Sequence, residues 1–272
     1  RKMEYCVLER KNVIRAAEED MQIPACYQML GVCFLKNNIK VKNIKLPAVR
    51  VVGTEAFFNC TALRHAALPR VYVIKKGAFG NCSNLREILL PKTVRELGKG
   101  VFDGCKRMEK ALFDPMGNCR ILPDMTFANC RALSNVTLPE VMWTIGNQAF
   151  YKCESLEDIK FPEKLHRIEN QAFYQCGLKS LHFPEHLEMI GESAFLKCKK
   201  LEYVFIPPSV QKIGKWAFHG CNNLKVLEIL HDPQDVGEWL TNKNCVIRCR
   251  RGSKMETYAA QYGIQVEYAD GI

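Results

Sequence analysis

No stretch of this 272-residue chain is long and apolar enough to cross a bilayer as a helix, which takes roughly 20 residues. A concentrated basic segment is also missing. The net charge of +10 favours acidic partners, but Lys and Arg are scattered along the whole sequence. No basic stripe with interleaved aromatics can be assembled from them, so nucleic acid is not expected as a partner. Catalytic constellations are equally scarce. Ser180 with His182, and Asp158 with Lys160, could suggest nucleophilic or acid–base work, yet no third group is evident to orient His182. His182 and His186 have the i, i+4 spacing of a zinc pair, but Pro184 stands between them and breaks the helix such a pair needs. No metal, cofactor or enzymatic activity is therefore expected. The chain begins at Arg1 rather than Met, so the expectation is a piece of a longer precursor, with any signal peptide or lipid anchor lying upstream.

What the sequence does have is repetition. A small residue, Phe, two variable residues and Cys recur as AFFNC (56–60), AFGNC (78–82), VFDGC (101–105), TFANC (126–130), AFYKC (149–153), AFYQC (172–176), AFLKC (194–198) and AFHGC (217–221). Successive cysteines lie 22, 23, 25, 23, 23, 22 and 23 residues apart. An aliphatic residue stands five positions before each Phe, usually followed by Gly, and a Pro ends a short apolar run in each copy. A period in this range means a solenoid or related repeat architecture.

Within each copy, L-x-x-I-x-L-P, as in Leu85 to Pro91, alternates like a short strand, and Pro closes it because it has no N–H to donate. A coil of about 23 residues returns each strand to the side of its equivalent, giving a parallel sheet with one strand per repeat. Gly98, Gly146, Gly191 and Gly214 are expected to supply positive φ at a turn. The Ala-Phe pair is expected to start a helical or 3-10 turn whose Phe stacks on its neighbours. Equivalent cysteines would stack with parallel side chains, which suits a ladder of buried free thiols better than disulfides. Cys6, Cys26, Cys33, Cys119, Cys245 and Cys249 lie off the ladder, and Cys245 with Cys249 is the pairing to test.

The recurring L-x-x-I-x-L-P-x-x-V-x-x-I-G-x-x-A-F-x-x-C resembles the leucine-rich repeats of the BspA-like, or Treponema pallidum type, family over about residues 41–230. The resemblance implies a leucine-rich-repeat solenoid. It also implies a setting, since family members are largely bacterial surface or secreted proteins and several are implicated in adhesion. Because the shared motif is core, it transfers no catalytic residue. The expected organisation is an N-terminal cap or degenerate first coil over 1–40, the array over 41–230 and a C-terminal cap over 231–272. Residues 7–20 carry apolar positions at helical spacing and are expected to form a capping amphipathic helix. At the other end, Ser253 and Glu256 form a capping-box pattern, and Gly263 stands at the helix C′ position. The longer copy, Lys106 to Cys130, adds Asp114 to Asn118 at its turn and predicts a local bulge or change of curvature.

Strand alternation assigns the residues just before and after each Ile to the open, concave face. Two apolar groups result: Tyr203, Phe205 and Val226 beside His182, and Leu89 with Leu112 and Ala67. Aromatics and leucines on a face otherwise kept polar mark candidate contact sites. The reading is a non-enzymatic binding module on a cell surface or in the extracellular space, holding a protein or glycan of a host or neighbouring cell. The alternatives are a structural spacer displaying another domain and, remotely, an enzyme or an enzyme-associated substrate-binding module.

Overall fold

The computed structural model describes residues 6–12 and 18–269. The chain winds as a solenoid whose coils each present three sides. On one side the L-x-x-I-x-L segments form three- and four-residue parallel strands, among them Asn43–Lys45, His65–Ala67, Glu87–Leu90, Lys110–Phe113 and Tyr203–Ile206. The returning side forms a second ladder of two-residue strands, in runs of five and six. Its rungs hold an aliphatic pair or a single aliphatic residue, as in Val73–Ile74 and Arg167–Ile168, with the second position buried.

The third side carries the Ala-Phe-x-x-Cys segments. They are reverse turns rather than the helical or 3-10 turns expected. In one copy the N–H groups of Ala56, Phe58 and Cys60 bond the carbonyls three residues back, while those of Glu55, Phe57 and Asn59 bond the next coil. Every second donor is thus given to the neighbour, which a helix would not allow. Left-handed residues flank each Phe two positions away on both sides, for example Glu55 (φ 52°) and Asn59 (φ 59°), then Gly77 (φ 60°) and Asn81 (φ 56°). Asn or Gly at the second of these positions, just before Cys in five copies, is the residue type that tolerates such backbone.

Gly98, Gly146, Gly191 and Gly214 do not supply positive φ, contrary to expectation. Their role is close approach. A Cβ at Gly98 would lie 2.2 Å from the Lys76 nitrogen, and one at Gly214 would lie 2.3 Å from the Glu192 nitrogen. Coil backbones pack against each other there with no room for a side chain.

The phenylalanines stack through the centre. Phe57, Phe79, Phe102, Phe127, Phe150, Phe173, Phe195 and Phe218 follow one another at ring separations of 5.0–5.6 Å and are fully buried. Phe34 extends this spine by one coil, edge-on to Phe57 at 6.1 Å. Beside it runs the thiol ladder. From Cys82 onward each ladder Sγ donates to the carbonyl of the Phe in the preceding coil, as in Cys82 to Phe57 (3.1 Å), Cys153 to Phe127 (3.2 Å) and Cys198 to Phe173 (3.1 Å), while Cys60 donates to Leu35 (3.1 Å). Burial pushes the Cys60 and Cys221 thiols up to about 12 and raises Cys82, Cys105, Cys153 and Cys198 well above the ordinary range. Cys245 and Cys249 are not joined to each other. Four steps along an extended strand separate their Cα atoms by about 13 Å, beyond the ~7 Å a disulfide spans. Titration of the native protein with a thiol reagent is expected to give fast reaction at exposed Cys6 and Cys26, with ladder thiols reacting after unfolding. Mass mapping that finds ladder positions among the fast group would contradict the burial.

At the N-terminal end the expected helix over 7–20 is not seen. Val7–Leu8 and Asp20–Gln22 are strands, Arg10–Asn12 is one 3-10 turn, and residues 13–17 lie outside the described residues. Val7–Leu8 pairs with Met29–Leu30, and Asp20–Gln22 pairs with Asn43–Lys45, so the ladders run on upstream of residue 41. Ladder bonds from a neighbouring coil outweighed a helical spacing too short to hold a helix alone.

The C-terminal helix lies where it was expected. The α-helix Lys254–Tyr262 starts at Ser253, whose hydroxyl accepts from the Glu256 N–H, and it ends at left-handed Gly263. The Glu256 carboxylate accepts from the Gly252 N–H, one residue before the partner a capping box predicts. The longer copy does interrupt the two-residue ladder, between Glu96–Leu97 and Ile121–Leu122.

The long-strand side is also broken, against the expectation of one strand per repeat: residues 157–160 and 179–182 form no strand. Cys176-Gly177-Leu178 is one residue shorter than Cys-x-x-Leu elsewhere, and a Cβ at Gly177 would lie 2.3 Å from the Glu154 carbonyl. The Asp158 carboxylate takes the Ile159 N–H for itself. Both changes take groups away from ladder pairing.

Candidate functional site

The residues assigned to the open face by alternation do lie there. Leu89 pairs in register with Leu112, and Tyr203 with Val226. The two apolar groups occupy different parts of the same face.

The Leu89 group floors a groove of about 1160 Å³ that crosses five coils. Its cause is local: Ala67 stands on the outer side between Lys45 and Leu89, where a larger side chain would fill the hollow. Leu89 is 57% exposed within it. Asp20, Gln22, Asn43, Lys45 and His65 line one end, with the Asn43 amide donating to the Asp20 carboxylate. Pro69, Pro91 and Pro115 line the edge where the strands stop. Asp20 and Gln22 were not legible as site residues because their segment has the spacing of a helix. The small outward residue Ala67 is the signal by which the hollow could have been found.

The Tyr203 group is smaller and more self-contained. Tyr203 and Phe205 border a hollow of about 320 Å³ with Ser180 and His182. The Tyr203 hydroxyl donates to Glu228 at 2.9 Å, Arg248 pairs with Glu228 at 2.8 Å and with Glu267 at 3.2 Å, and this chain ties together the last coils. Desolvation, with the Glu228 hydrogen bond second, raises the Tyr203 phenol. Val226 is half-buried. Part of this group's apolar surface is thus used by the fold itself.

No hydrogen bond joins Ser180 to His182 among the described residues, and Lys160 faces Glu140 at 3.5 Å rather than Asp158. Among the described residues no group of three His, Cys, Asp or Glu side chains is placed to hold a metal, and no helix is long and apolar enough to cross a membrane.

The model of the BspA type leucine rich repeat region matches residues 18–130 and 120–246, in six copies. The chain belongs to the BspA-type leucine-rich repeat family. Arrays of this family are generally protein-interaction or surface-associated modules. This BspA-type chain is similar to a leucine-rich repeat protein from Bacteroides ovatus, with 27% identity and a TM-score of 0.77 over 92% of this chain and 69% of the other. The pneumococcal vaccine antigen PcpA is 15% identical with a TM-score of 0.57, covering 93% of this chain and 80% of its own, which shows a shared fold. A search of curated proteins finds no match to this BspA-type sequence.

Proposed function

We propose that this protein is a non-enzymatic binding module that holds an extended segment of a partner protein in the groove over Leu89 and Leu112. The observation that carries the proposal is the groove itself: a large apolar hollow, rimmed by polar groups, on the face where one coil after another presents variable side chains. A partner side chain burying Leu89 and Leu112 gains about 1.5 to 3 kcal/mol per residue, enough for one anchor of a stable complex. The setting we favour is a cell surface or the extracellular space, from family membership. The thiol ladder suits it, since thiols held protonated resist oxidation. The Tyr203, Phe205 and His182 hollow is a secondary contact at most, because it is the smaller of the two and the Tyr203 hydroxyl is already held by Glu228.

The test is selection of displayed peptides on the wild-type protein, followed by binding measurements on a Leu89→Ser/Leu112→Ser double variant and on Tyr203→Ser/Phe205→Ser. Selected peptides should carry apolar anchors and bind the first variant at least about tenfold more weakly, and the second nearly as well as wild type. Equal binding to wild type and the Leu89 variant would rule out the groove, and no enrichment at all would favour a spacer.

A further inference from the structure

The two-residue ladder orders one row of side chains that alternation on the open face does not reveal. The residue just before each short strand occupies one register position, held by backbone bonds from Tyr72 to the Arg50 carbonyl, Arg95 to Tyr72, Trp143 to Arg120 and His166 to Trp143. These bonds give two runs, Arg50, Tyr72, Arg95 and Arg120, Trp143, His166, separated where the two-residue ladder is interrupted, and the second run passes on to Glu188. The guanidiniums of Arg50, from the coil before, and Arg95, from the coil after, flank the Tyr72 ring at 5.8 and 5.7 Å from its centroid. The Trp143 indole stacks on His166 at 4.0 Å and is 50% exposed. Exposed Arg70 and Lys92 stand two and three residues upstream of Tyr72 and Arg95.

The charge on this row is uncompensated. Among the described residues none of Arg50, Arg70, Lys92, Arg95 and Arg120 forms an ion pair, although Glu96 follows Arg95 along its strand. The basic residues beside the long strands are treated differently: Lys42 meets Glu19, Arg86 meets Glu109, Arg131 meets Glu154, and Lys179 and Lys200 share Glu157. Like charges such as Arg50 and Arg95, stacked two rungs or roughly 9.6 Å apart, cost free energy unless an anion lies along them.

We propose that this row binds a linear sulfated polysaccharide. Charge complementarity selects a polyanion, and the row's length, one rung per coil, selects an extended one. The rings decide between polyanions. Nucleic acid bases need open aromatic faces to stack on, whereas Tyr72 is flanked by two guanidiniums and Trp143 is stacked on His166. The rings here hold cations in place, so that planar guanidinium forks meet sulfate oxygens with little ordering left to do. This site is independent of the groove over Leu89.

The experiment measures heparin binding against salt for wild type, Arg50→Ser/Arg95→Ser and a control, Lys40→Ser/Lys106→Ser, which removes the same formal charge from exposed positions elsewhere. The first double variant should bind about tenfold more weakly, with a flatter dependence of log affinity on log salt, and the control should stay within about twofold. Tyr72→Ala should weaken binding with no change in charge, and Tyr72→Phe should restore it, which a purely electrostatic attraction would not do. Equal losses in the two double variants would reduce the effect to net charge and overturn the proposal. So would a single-stranded oligonucleotide displacing heparin at equal charge concentration. Leu89→Ser/Leu112→Ser should leave heparin binding intact, which separates this result from the groove's.

Discussion

Phe150→Ala is expected to lower the free energy of unfolding by about 3 to 5 kcal/mol, measured by denaturant titration. Phe150 is fully buried between Phe127 at 5.5 Å and Phe173 at 5.0 Å, and its rings stack within 21° of parallel on both sides. Removing it leaves a cavity that the neighbours cannot close, because the Phe150 N–H is bonded to Ala172 and its carbonyl receives both the Cys153 N–H and the Cys176 thiol. The backbone is pinned while the side chain is gone. A solenoid coil contacts its neighbours alone, so the lost energy falls on two interfaces in mid-array, and the halves on either side become less coupled. The same change at Phe34, which meets one partner edge-on at 6.1 Å near the N-terminal end, should cost less. A loss below about 1 kcal/mol at Phe150, or an equal loss at Phe34, would mean that the spine does not carry the array.

Alkaline pH is expected to unfold the protein over a narrow interval. An ordinary thiol titrates near 9, whereas burial pushes Cys60 and Cys221 to about 12 and raises Cys82, Cys105, Cys153 and Cys198 well above the ordinary value. The unfolded chain therefore loses these protons first, and ν is smaller in the unfolded than in the native state. Stability is complete below pH 9 and falls as pH rises from there toward 12. Each of Cys60 and Cys221 withdraws about 1.4 kcal/mol per pH unit above 9, roughly 3 kcal/mol together by pH 10, and the other four thiols add in the same direction. That is a large part of the stability of an ordinary domain, of order 5 to 15 kcal/mol. Circular dichroism under reducing conditions should show a cooperative loss of structure between pH 9 and 11. A stability that stays flat to pH 11 would show that the ladder thiols are hydrated.

The period, the phenylalanine spine and the free-thiol ladder were legible in the sequence because each depends on one residue type recurring at one position, and the C-terminal helix because its end signals, Ser253 and Gly263, are local. Phe in every coil can stack only if the coils are in register, and Cys in every coil can reach the same carbonyl only if it faces inward. Other features depend on pairs of coils and were not legible. The aliphatic residue five positions before each Phe recurs visibly, but strands two residues long carry no alternation that marks them as a second ladder, and the stretch 7–20 carries a helical spacing that ladder partners override. The glycines were expected to relieve φ, yet they serve the separation between adjacent backbones, a distance no single coil contains.

The same division holds for the binding surfaces. Strand alternation alone determined that Leu89, Leu112, Tyr203, Phe205 and His182 face outward. Only the tertiary structure decided that Leu89 overlooks an open groove while Tyr203 is tied to Glu228 and Arg248. It alone decided, too, that Arg50, Tyr72 and Arg95 lie side by side although 22 and 23 residues separate them in sequence. The sequence by itself determines what every coil has in common, since stacking repeats one set of contacts. What differs from coil to coil acquires meaning when the neighbour is in place, because an exposed side chain is defined by what the next rung puts beside it.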